Sequence, residues 1–322
     1  SGMPAQPDPP PQATTVTGPG AETGSRRHGV VIVNYGRQTL VEDSAGNLVR
    51  CVARRGLEQI VCGDEVEWLP TGDQEGVVER VAPRRSVLNR ADSGNNMRPL
   101  VANIDQVIIE AAQEPALDCF LLDKYTVAAE LAHTRALIVI NKCDLLTPDA
   151  RSDIEAQLAD FTALGYPVLF TSALQNTGIE AFADCLAGKT SILVGQSGVG
   201  KSSLIKRLLP DRDITIGRLS TASGLGRHTT TATTLYHLPC GGRLIDSPGV
   251  RDFRLGEVSA AELGSGFREF SPYLGHCRFN DCRHVSEPGC AVLKALAAGE
   301  ISARRMESYR RLLPASGLLT HL

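Results

Sequence analysis

The sequence has no apolar run of about 18 residues, the length that a membrane-spanning helix needs, and no basic-then-apolar signal peptide at its start. We therefore expect a cytoplasmic protein with no membrane partner. Positive charge is not in excess either. The formal net charge is −3 over 322 residues, which excludes a uniformly basic nucleic-acid binder and gives no reason to expect a DNA partner. A local basic patch remains compatible with that balance. No heptad repeat is present, so a monomer is expected.

The composition changes along the chain and predicts a multidomain α/β protein with five segments. Residues 1–27, rich in Pro, Thr, Gly and Gln, are expected to form a disordered tail. Short alternating runs between Gly, Asn and Asp turns over 28–84 predict five strands of a small barrel, an OB-fold. A basic linker over 85–100 leads into 101–257, where strands and helices alternate. Residues 258–322 are expected to form a last, helical domain with clustered cysteines.

Residues 101–257 have the pattern of a three-layer α/β sheet. Short β-branched runs predict buried parallel strands, and longer mixed segments between them predict helices. The predicted strands are 107–110, 136–140 and 168–171, and the predicted helices are 117–132, 148–165 and 177–186. Thr147 and Pro148 suit the start of the second helix, because Thr offers a capping hydroxyl and Pro tolerates the first turn.

One glycine-rich segment, between an apolar run and a predicted helix, matches the phosphate-loop pattern G-x-x-x-x-G-K-[ST]. The backbone N–H groups of such a loop curl around phosphates, and the following helix points its positive end at them. Lys201 adds a cation near the β and γ phosphates, and the Ser202 hydroxyl suits Mg²⁺. A chance glycine turn is disfavoured by the flanking strand and helix. The predicted phosphate-binding residues are Gly195, Gln196, Ser197, Gly198, Val199, Gly200, Lys201, Ser202 and Ser203.

The residues after two upstream strands indicate which base is bound. Asn141, Lys142, Cys143 and Asp144 form an N-K-x-D motif, whose carboxylate can accept from both N1–H and the 2-amino group of guanine. Adenine cannot supply this pair of donors. Ser172 and Ala173 follow the next strand and are similar to the weaker base-closing motif of regulatory GTPases. N-K-x-D alone could be a helix-capping loop, but beside a phosphate loop it favours GTP.

Two further elements lie downstream of the phosphate loop. A predicted hairpin ends at a D-x-x-G motif, whose Asp246 fits the Mg²⁺ side of a nucleotide site and whose Gly249 fits the N–H that senses the γ-phosphate. The threonine-rich segment before the hairpin fits the first switch. Thr230 is chosen as the threonine that closes on Mg²⁺, with Thr229 and Thr231 as alternatives.

The order of these motifs is itself informative. Conventional GTPases run from the phosphate loop through the switch threonine and D-x-x-G to N-K-x-D and S-A. Here N-K-x-D and S-A come first, which predicts a circularly permuted domain whose original ends lie close together. The permutation also attaches the last domain directly after the second switch.

Three of the nine cysteines are clustered with a histidine in the last domain. Three thiols and one imidazole at short spacing predict a closed tetrahedral site for one structural Zn²⁺, because cytosolic disulfides are uncommon. Catalytic zinc is disfavoured because four protein ligands leave no open position. Free buried thiols are the alternative. The predicted ligands are Cys277, Cys282, His284 and Cys290.

Two sets of arginines are candidates for RNA contact, with a solvated surface as the alternative for both. The barrel is acidic overall, so its phosphate affinity would depend on a local cluster. The first set, in and just beyond the barrel, is Arg54, Arg55, Arg84, Arg85, Arg90 and Arg98. The second, on a predicted helix of the last domain, is Arg304, Arg305, Arg310 and Arg311.

Together, these features resemble the bacterial ribosome-small-subunit-dependent GTPase A family (RsgA) over residues 28–312. The resemblance is carried by A-N-I-D-Q at 102–106, G-Q-S-G-V-G-K-S-S at 195–203, G-R-H-T-T-T at 226–231, D-S-P-G-V at 246–250 and the spacing of the Cys₃His cluster. It implies a GTP hydrolase that acts late in maturation of the 30S subunit and is activated by that subunit. The family's OB domain is expected to lie on 16S rRNA, and the acidic barrel departs from that expectation.

These observations favour a switch in which GTP orders both switch segments for binding to the 30S subunit, and hydrolysis to GDP releases the protein. Two other classes are weighed against it. An RNA-docking module with a structural nucleotide would show no rise in turnover with 30S subunits. An ATP-dependent kinase is opposed by N-K-x-D.

The residue after D-x-x-G is Val250, where many GTPases have a glutamine that orients water, so slow intrinsic hydrolysis is expected. His228, in the first switch segment, is the candidate for orienting water, although it could simply pack that segment. We predict that His228→Ala lowers 30S-stimulated turnover by roughly tenfold or more with little change in GTP affinity. Steady-state kinetics and GTP binding measure the two effects, and unchanged turnover would remove the assignment.

Overall fold

The computed structural model describes residues 25–91, 96–224, 232–247 and 258–313. Most of the predicted tail therefore lies outside the described residues. The strands are β1 (Arg27–Asn34), β2 (Thr39–Asp43), β3 (Leu48–Ala53), β4 (Glu65–Gly72), β5 (Glu75–Val81), β6 (Val87–Ala91), β7 (Met97–Ala102), β8 (Gln106–Ala111), β9 (Arg135–Ile140), β10 (Val168–Phe170), β11 (Thr190–Gly195), β12 (Thr234–His237) and β13 (Arg243–Asp246). The helices are α1 (Cys119–Leu131), α2 (Pro148–Gln157), α3 (Ala159–Ala163), α4 (Ile179–Leu186), α5 (Lys201–Leu208), α6 (Arg212–Ser223), α7 (Ala260–Ser265), α8 (Ala291–Ala297) and α9 (Ala303–Leu312). In the part of the chain that the structure describes, no helix is both long and apolar enough to span a bilayer.

The first five strands form a closed barrel, which confirms the five-stranded barrel predicted from the sequence. The strand order is β1-β2-β3-β5-β4, and β4 pairs back with β1. Alternate side chains point inward, so Val31, Val41 and Trp68 are buried together. A Cβ on Gly76 would lie 2.6 Å from the Trp68 ring, so only glycine fits beside the indole. The apolar alternation of these short strands therefore closes into a packed core.

A mainly parallel sheet follows the barrel, in the order β10-β9-β8-β11-β13-β12. Its central strands are buried along most of their length, as expected for parallel strands covered by helices. The carboxyl ends of β8, β9 and β11 meet at one edge, because all three are parallel and paired in register. That edge carries the sequence motifs for nucleotide binding.

The barrel and this sheet are joined through a single strand. β1 pairs with β2 and β4 inside the barrel and also with β12 outside it, at Val33 and Thr234. A register shift in β1 between Val31 and Val33 accompanies the change of partner. Beside this junction, His237 on β12 contacts Glu42 on β2 at 2.6 Å. The hairpin that ends at Asp246 is therefore hydrogen-bonded directly to the barrel.

The C-terminal helices are anchored to α1 by buried ion pairs. Arg305 on α9 is 1% exposed and forms a bidentate pair with Glu269, at 2.6 and 2.9 Å. Its third contact is the fully buried carboxylate of Asp123 on α1, at 2.7 Å. Arg304 binds the other oxygen of Asp123 at 2.6 Å and reaches Asp160 at 2.8 Å. A second anchor joins Arg268 to Glu130 on α1, at 2.6 Å.

Three segments differ from the sequence prediction. Residues 85–100, expected to be a linker, include strands β6 and β7, which pair antiparallel. The helix expected over 148–165 is divided at Leu158 into α2 and α3, although its start is capped by the Thr147 hydroxyl with Pro148 in the first turn, as predicted. Helix α6 was not predicted, and it packs against β2 and β3 of the barrel. Charge and weak periodicity hid β6 and β7, although they are neighbours in sequence, and α6 was hidden because its partners in the barrel are distant in sequence.

Replacing Arg305 should destabilise the protein strongly. Arg305→Ala leaves the buried Glu269 carboxylate without its cation and Asp123 with Arg304 alone, and breaking a buried pair in this way costs about 3–5 kcal/mol. Urea unfolding followed by far-ultraviolet circular dichroism measures the change. The matched control is Arg310→Ala, because Arg310 is an exposed arginine of the same helix. Equal losses in the two variants would contradict a dominant role for the buried network.

Candidate functional site

The phosphate loop leaves the end of β11 and enters α5, as a strand–loop–helix motif requires. Gly195, Gly198 and Gly200 have φ angles of 147°, 85° and 115°, in the region that favours glycine. A Cβ on Gly195 would lie 2.2 Å from the carbonyl oxygen of Glu110, and one on Gly200 would lie 2.3 Å from Asn141 Nδ2. Glycine is therefore required at both ends of the loop by conformation and by space.

Two lysines pack against the loop. Lys201 Nζ donates to the carbonyl oxygens of Gly195 and Gln196 at 2.8 and 2.6 Å. Lys142, from the N-K-x-D motif, donates to the Gly198 carbonyl at 2.7 Å. Both ammonium groups therefore lie beside the loop, where their positive charge favours an anionic ligand.

Asn141 links the separate motifs. Its amide nitrogen donates to the carbonyl of Val199 in the phosphate loop, at 3.2 Å, and to Glu110 Oε1 at 2.9 Å. Its amide oxygen accepts from the Thr171 hydroxyl at 3.3 Å and from the backbone N–H of Ala173 at 3.4 Å. Asn141 therefore uses both ends of its side chain to fix the phosphate loop relative to the S-A segment.

The two motifs predicted to read the base form one wall of a cavity. The Ser172 hydroxyl, which is buried, donates to the Asp144 carboxylate. Arg207 on α5 donates to the Ala173 carbonyl at 2.5 Å, which pins the S-A segment to the phosphate-loop helix. The cavity has a volume of about 680 Å³, within the range of small-molecule sites. It is lined by Asn141, Lys142, Asp144, Leu145, Ala173, Leu174, Gly200, Ser203, Lys206, Arg207 and Pro210.

The Mg²⁺ side of the predicted site is described in part. Ser202 lies in the first turn of α5 and Asp246 ends β13, and a hydroxyl and a carboxylate are the hard oxygen donors that Mg²⁺ prefers. Arg212 on α6 forms an ion pair with Asp246, and its guanidinium lies over the Tyr236 ring at 5.6 Å. Asp246 is thereby connected to the helix that packs on the barrel.

The rest of the predicted switch residues lie outside the described residues. These are His228, Thr230 with its alternatives Thr229 and Thr231, Gly249 and Val250. Their roles remain predictions from the sequence.

The predicted metal ligands come together in space. Cys277, Cys282, His284 and Cys290 offer ligand atoms that all lie within 4.8 Å of one another, so the cluster could hold a metal ion. His284 Nδ1 lies 3.5 Å from Cys277 Sγ and 3.3 Å from Cys290 Sγ. Three thiols and an imidazole nitrogen are the donor set of structural zinc sites, and the residues fit that use.

Backbone N–H groups donate to two of the three sulfur atoms of the cluster. Cys290 Sγ caps α8 by accepting from the Leu293 N–H at 3.4 Å, and Cys277 Sγ accepts from the Ala291 N–H at 3.3 Å. The loop between the ligands is held by Glu287, which accepts from the backbone N–H groups of Arg283, Val285 and Ser286. Although burial raises the pKa of Glu287, these hydrogen bonds prevail and lower it to about 2.

Several of the arginines predicted to contact RNA form ion pairs within the protein. In the barrel set, Arg54 contacts Glu79 at 2.8 Å, and Arg84 contacts the buried Asp64 at 2.7 Å. In the helical set, Arg304 and Arg305 belong to the buried network described above. The interpretation of Arg305 as part of an exposed basic face is therefore wrong, and the Arg304 side chain is only partly exposed. Helical periodicity placed them on one helix but could not show that this part of its surface is buried against α1.

Four residues at the site were not found by sequence reasoning. Arg207, Lys206 and Arg212 carry no motif, and only the fold brings them to the loop and to Asp246. Glu110 was visible as an acid at the end of an otherwise apolar strand. That position was a usable signal, because charged residues are rarely buried in parallel strands without a reason.

Comparison with known proteins gives a consistent result over most of the chain. A protein-family model described as RsgA GTPase matches residues 81–256. A small ribosomal subunit biogenesis GTPase RsgA from Chromohalobacter salexigens is 49% identical over 301 residues, covering 92% of this chain and 88% of that protein. The protein of the same name from Azotobacter vinelandii is 46% identical over 298 residues, covering 91% and 87%.

Solved structures show the same architecture. The crystal structure of YjeQ from Thermotoga maritima superposes with a TM-score of 0.72 at 34% identity, covering 89% of this chain and 97% of that one. YloQ, described as a circularly permuted GTPase, superposes with a TM-score of 0.69 at 25% identity, covering 90% and 95%. The permuted arrangement predicted from the motif order is therefore confirmed.

The sequence predicts one zinc ion at the Cys₃His cluster, and losing a ligand should release it. Cys282→Ser is expected to reduce bound zinc from about one per chain to near zero, since serine does not replace a thiolate on zinc at neutral pH. The same variant should lose hydrogen-exchange protection over residues 267–309, because the free energy of zinc binding at a structural site contributes directly to the stability of the fold around it. Metal analysis and hydrogen-exchange mass spectrometry measure both. The control is Cys240→Ser, at a half-buried cysteine far from the cluster in sequence. Zinc retained by Cys282→Ser would show that the predicted ligand set is wrong.

Proposed function

The chain belongs to the RsgA GTPase family and hydrolyses GTP, and we propose that it does so in the biogenesis of the small ribosomal subunit. One observation carries the assignment of its nucleotide site. One cavity is lined by both Asp144 of N-K-x-D and Gly200 of the phosphate loop. A base-reading group and a phosphate-binding group in one cavity suit a guanine nucleotide lying between them.

Base selection is assigned to Asp144 and the S-A segment. Asp144 accepts from the guanine N1–H and 2-amino groups, and the hydrogen bond from Ser172 orients its carboxylate. The backbone of Ala173 closes the base from the side, held by Arg207 and Asn141. ATP is rejected because adenine cannot supply the pair of donors that guanine presents to this carboxylate.

Phosphate binding is assigned to the loop at 195–203. The ammonium group of Lys201 turns from its loop carbonyls to the β and γ phosphates, a short movement because the carbonyls belong to the same loop. Ser202, Asp246 and Thr230 would hold Mg²⁺, which neutralises phosphate charge when it is bound with GTP. Gly249 and Thr230 respond to the γ-phosphate.

Hydrolysis is proposed to be slow until the protein meets the 30S subunit. Val250 cannot orient water, and the candidate that can, His228, lies in the threonine-rich switch segment. An activator that fixes this segment would position His228 and raise turnover. The 30S subunit is the proposed activator, and work on ribosomal subunits would place the protein in the cytoplasm.

Release after hydrolysis follows from how the docking domains are attached. Asp246 is tied through Arg212 to α6, which packs on the barrel, and β12 is paired directly with β1. The chain after Gly249 enters α7 of the C-terminal domain within about ten residues. A conformational change in either switch would therefore act close to both domains proposed to lie on 16S rRNA. Loss of the γ-phosphate would then weaken the binding of both domains to the RNA.

The proposed zinc ion is structural. The ligand cluster adjoins an aromatic core in which Phe270 and Tyr309 pack on His284. With four protein ligands, the ion has no open position for chemistry, and it fixes the loop that leads into α8. A rigid C-terminal domain is then available for RNA docking.

GTP hydrolysis with and without purified 30S subunits tests the proposal. A rise of roughly tenfold or more with 30S subunits, and little rise with 50S subunits or with ATP as substrate, is expected, because an activator restores the missing positioning of water. Asp144→Asn removes the acceptor pair for guanine and should weaken GTP binding roughly 100-fold. If 30S subunits do not raise the rate of GTP hydrolysis, the result would instead favour an RNA-docking module with a structural nucleotide.

A further inference from the structure

Glu110 is a buried carboxyl group beside the nucleotide site with no role in the mechanism described so far. It lies near the end of β8 and is 1% exposed. Its Oε1 accepts from Asn141 Nδ2 at 2.9 Å. Its Oε2 is also buried and has no hydrogen-bond partner among the described residues. A buried carboxylate with one oxygen unpaired is costly, whereas a protonated carboxyl is much less so.

The phosphate loop passes directly over this group. A Cβ on Gly200 would lie 3.4 Å from Glu110 Oε1, and a Cβ on Gly195 would lie 2.2 Å from the Glu110 carbonyl oxygen. Both ends of the loop therefore rest on one residue. Any negative charge on Glu110 lies close to the place where the loop receives the phosphates.

The charged groups around Glu110 come from three elements. Lys201 on α5 and Lys142 after β9 attract its negative form, but each ammonium group donates to carbonyls of the phosphate loop. On the α1 side, Asp118 and Tyr125 border the small cavity that Glu110 shares with the loop. Burial raises the pKa of Glu110 to about 7, against the opposing effects of Asn141 and the two lysines.

We propose that Glu110 is a positioning residue for the phosphate loop and that its carboxyl group is protonated when a guanine nucleotide is bound. Nucleotide binding then takes up a proton. The inference rests on the proposed function in one respect, that this loop binds GTP and GDP. Phosphates arriving on the loop bring several negative charges close to the carboxyl group and disfavour its ionised form. The neutral carboxyl keeps its contact with Asn141 and thereby holds the loop against the S-A segment.

The sign of the pH dependence follows from linkage. Well below pH 7 the carboxyl is neutral in both the free and the bound protein, and Glu110 leaves the affinity unchanged. As the pH rises above the pKa of the free protein, binding must also protonate Glu110, and affinity falls. If nucleotide raises the pKa by about one unit, the loss approaches about tenfold.

Calorimetric titration of the full chain with GDP tests the proposal, from about pH 6 to about pH 8.5 and in two buffers of different ionisation enthalpy. Glu110→Gln keeps an acceptor for Asn141 but cannot ionise. Glu114→Gln removes the same charge from an exposed side chain a few residues away and is the matched control. The GDP phosphates contribute to proton uptake in all three proteins, so the titration of Glu110→Gln supplies the baseline against which the other two are compared.

The wild type and Glu114→Gln are expected to take up a fraction of a proton per GDP near pH 7 that Glu110→Gln does not, and to lose up to about tenfold more affinity at high pH. The same proton uptake and pH profile in Glu110→Gln would overturn the proposal. Thermal unfolding checks the fold of each variant, and Glu110→Leu is the second non-ionisable variant if Glu110→Gln is unfolded. Absence of GDP binding by all the folded proteins would instead contradict the proposed function.

Discussion

The nucleotide site depends on the side chain of Asn141. In the permuted chain, N-K-x-D and S-A precede the phosphate loop and are distant from it in sequence. The parts of the site are therefore held together by side-chain contacts. Asn141 supplies four of these contacts, to Val199, Glu110, Thr171 and Ala173. Because the side chain is buried, each lost contact would leave a polar group unpaired. The amide therefore sets the distance between the base-reading and phosphate-binding groups.

A small number of direct contacts likewise joins the barrel to the elements that lead to the switches. β1 belongs to the barrel and also pairs with β12, and α6 packs on the barrel while Arg212 holds Asp246. A change at the end of β13 therefore has two short routes to the barrel, one through backbone pairing and one through an ion pair. Both routes are packed and hydrogen-bonded, which is the kind of structure that transmits strain.

The C-terminal domain is attached by charge as well as by packing. Arg304, Arg305 and Arg268 meet carboxylates on or near α1, and most of these groups are at least partly buried. Such pairs add little net stability compared with apolar packing, but they are costly to break and they define one orientation. The domain that these pairs orient also follows the predicted second switch directly in sequence.

The sequence by itself determined the barrel, the permuted GTPase domain, the nucleotide motifs and the metal cluster, since each rests on local spacing: alternation in strands, glycines in a loop, thiols a few residues apart. Tertiary structure alone decided which charges are buried. Arg304 and Arg305 read as an exposed basic face but lie against α1, whereas Arg212, Arg207 and Glu110 reach the site through contacts between elements distant in the chain. Burial and long-range pairing are properties of the packed fold, and for that reason no local pattern encodes them.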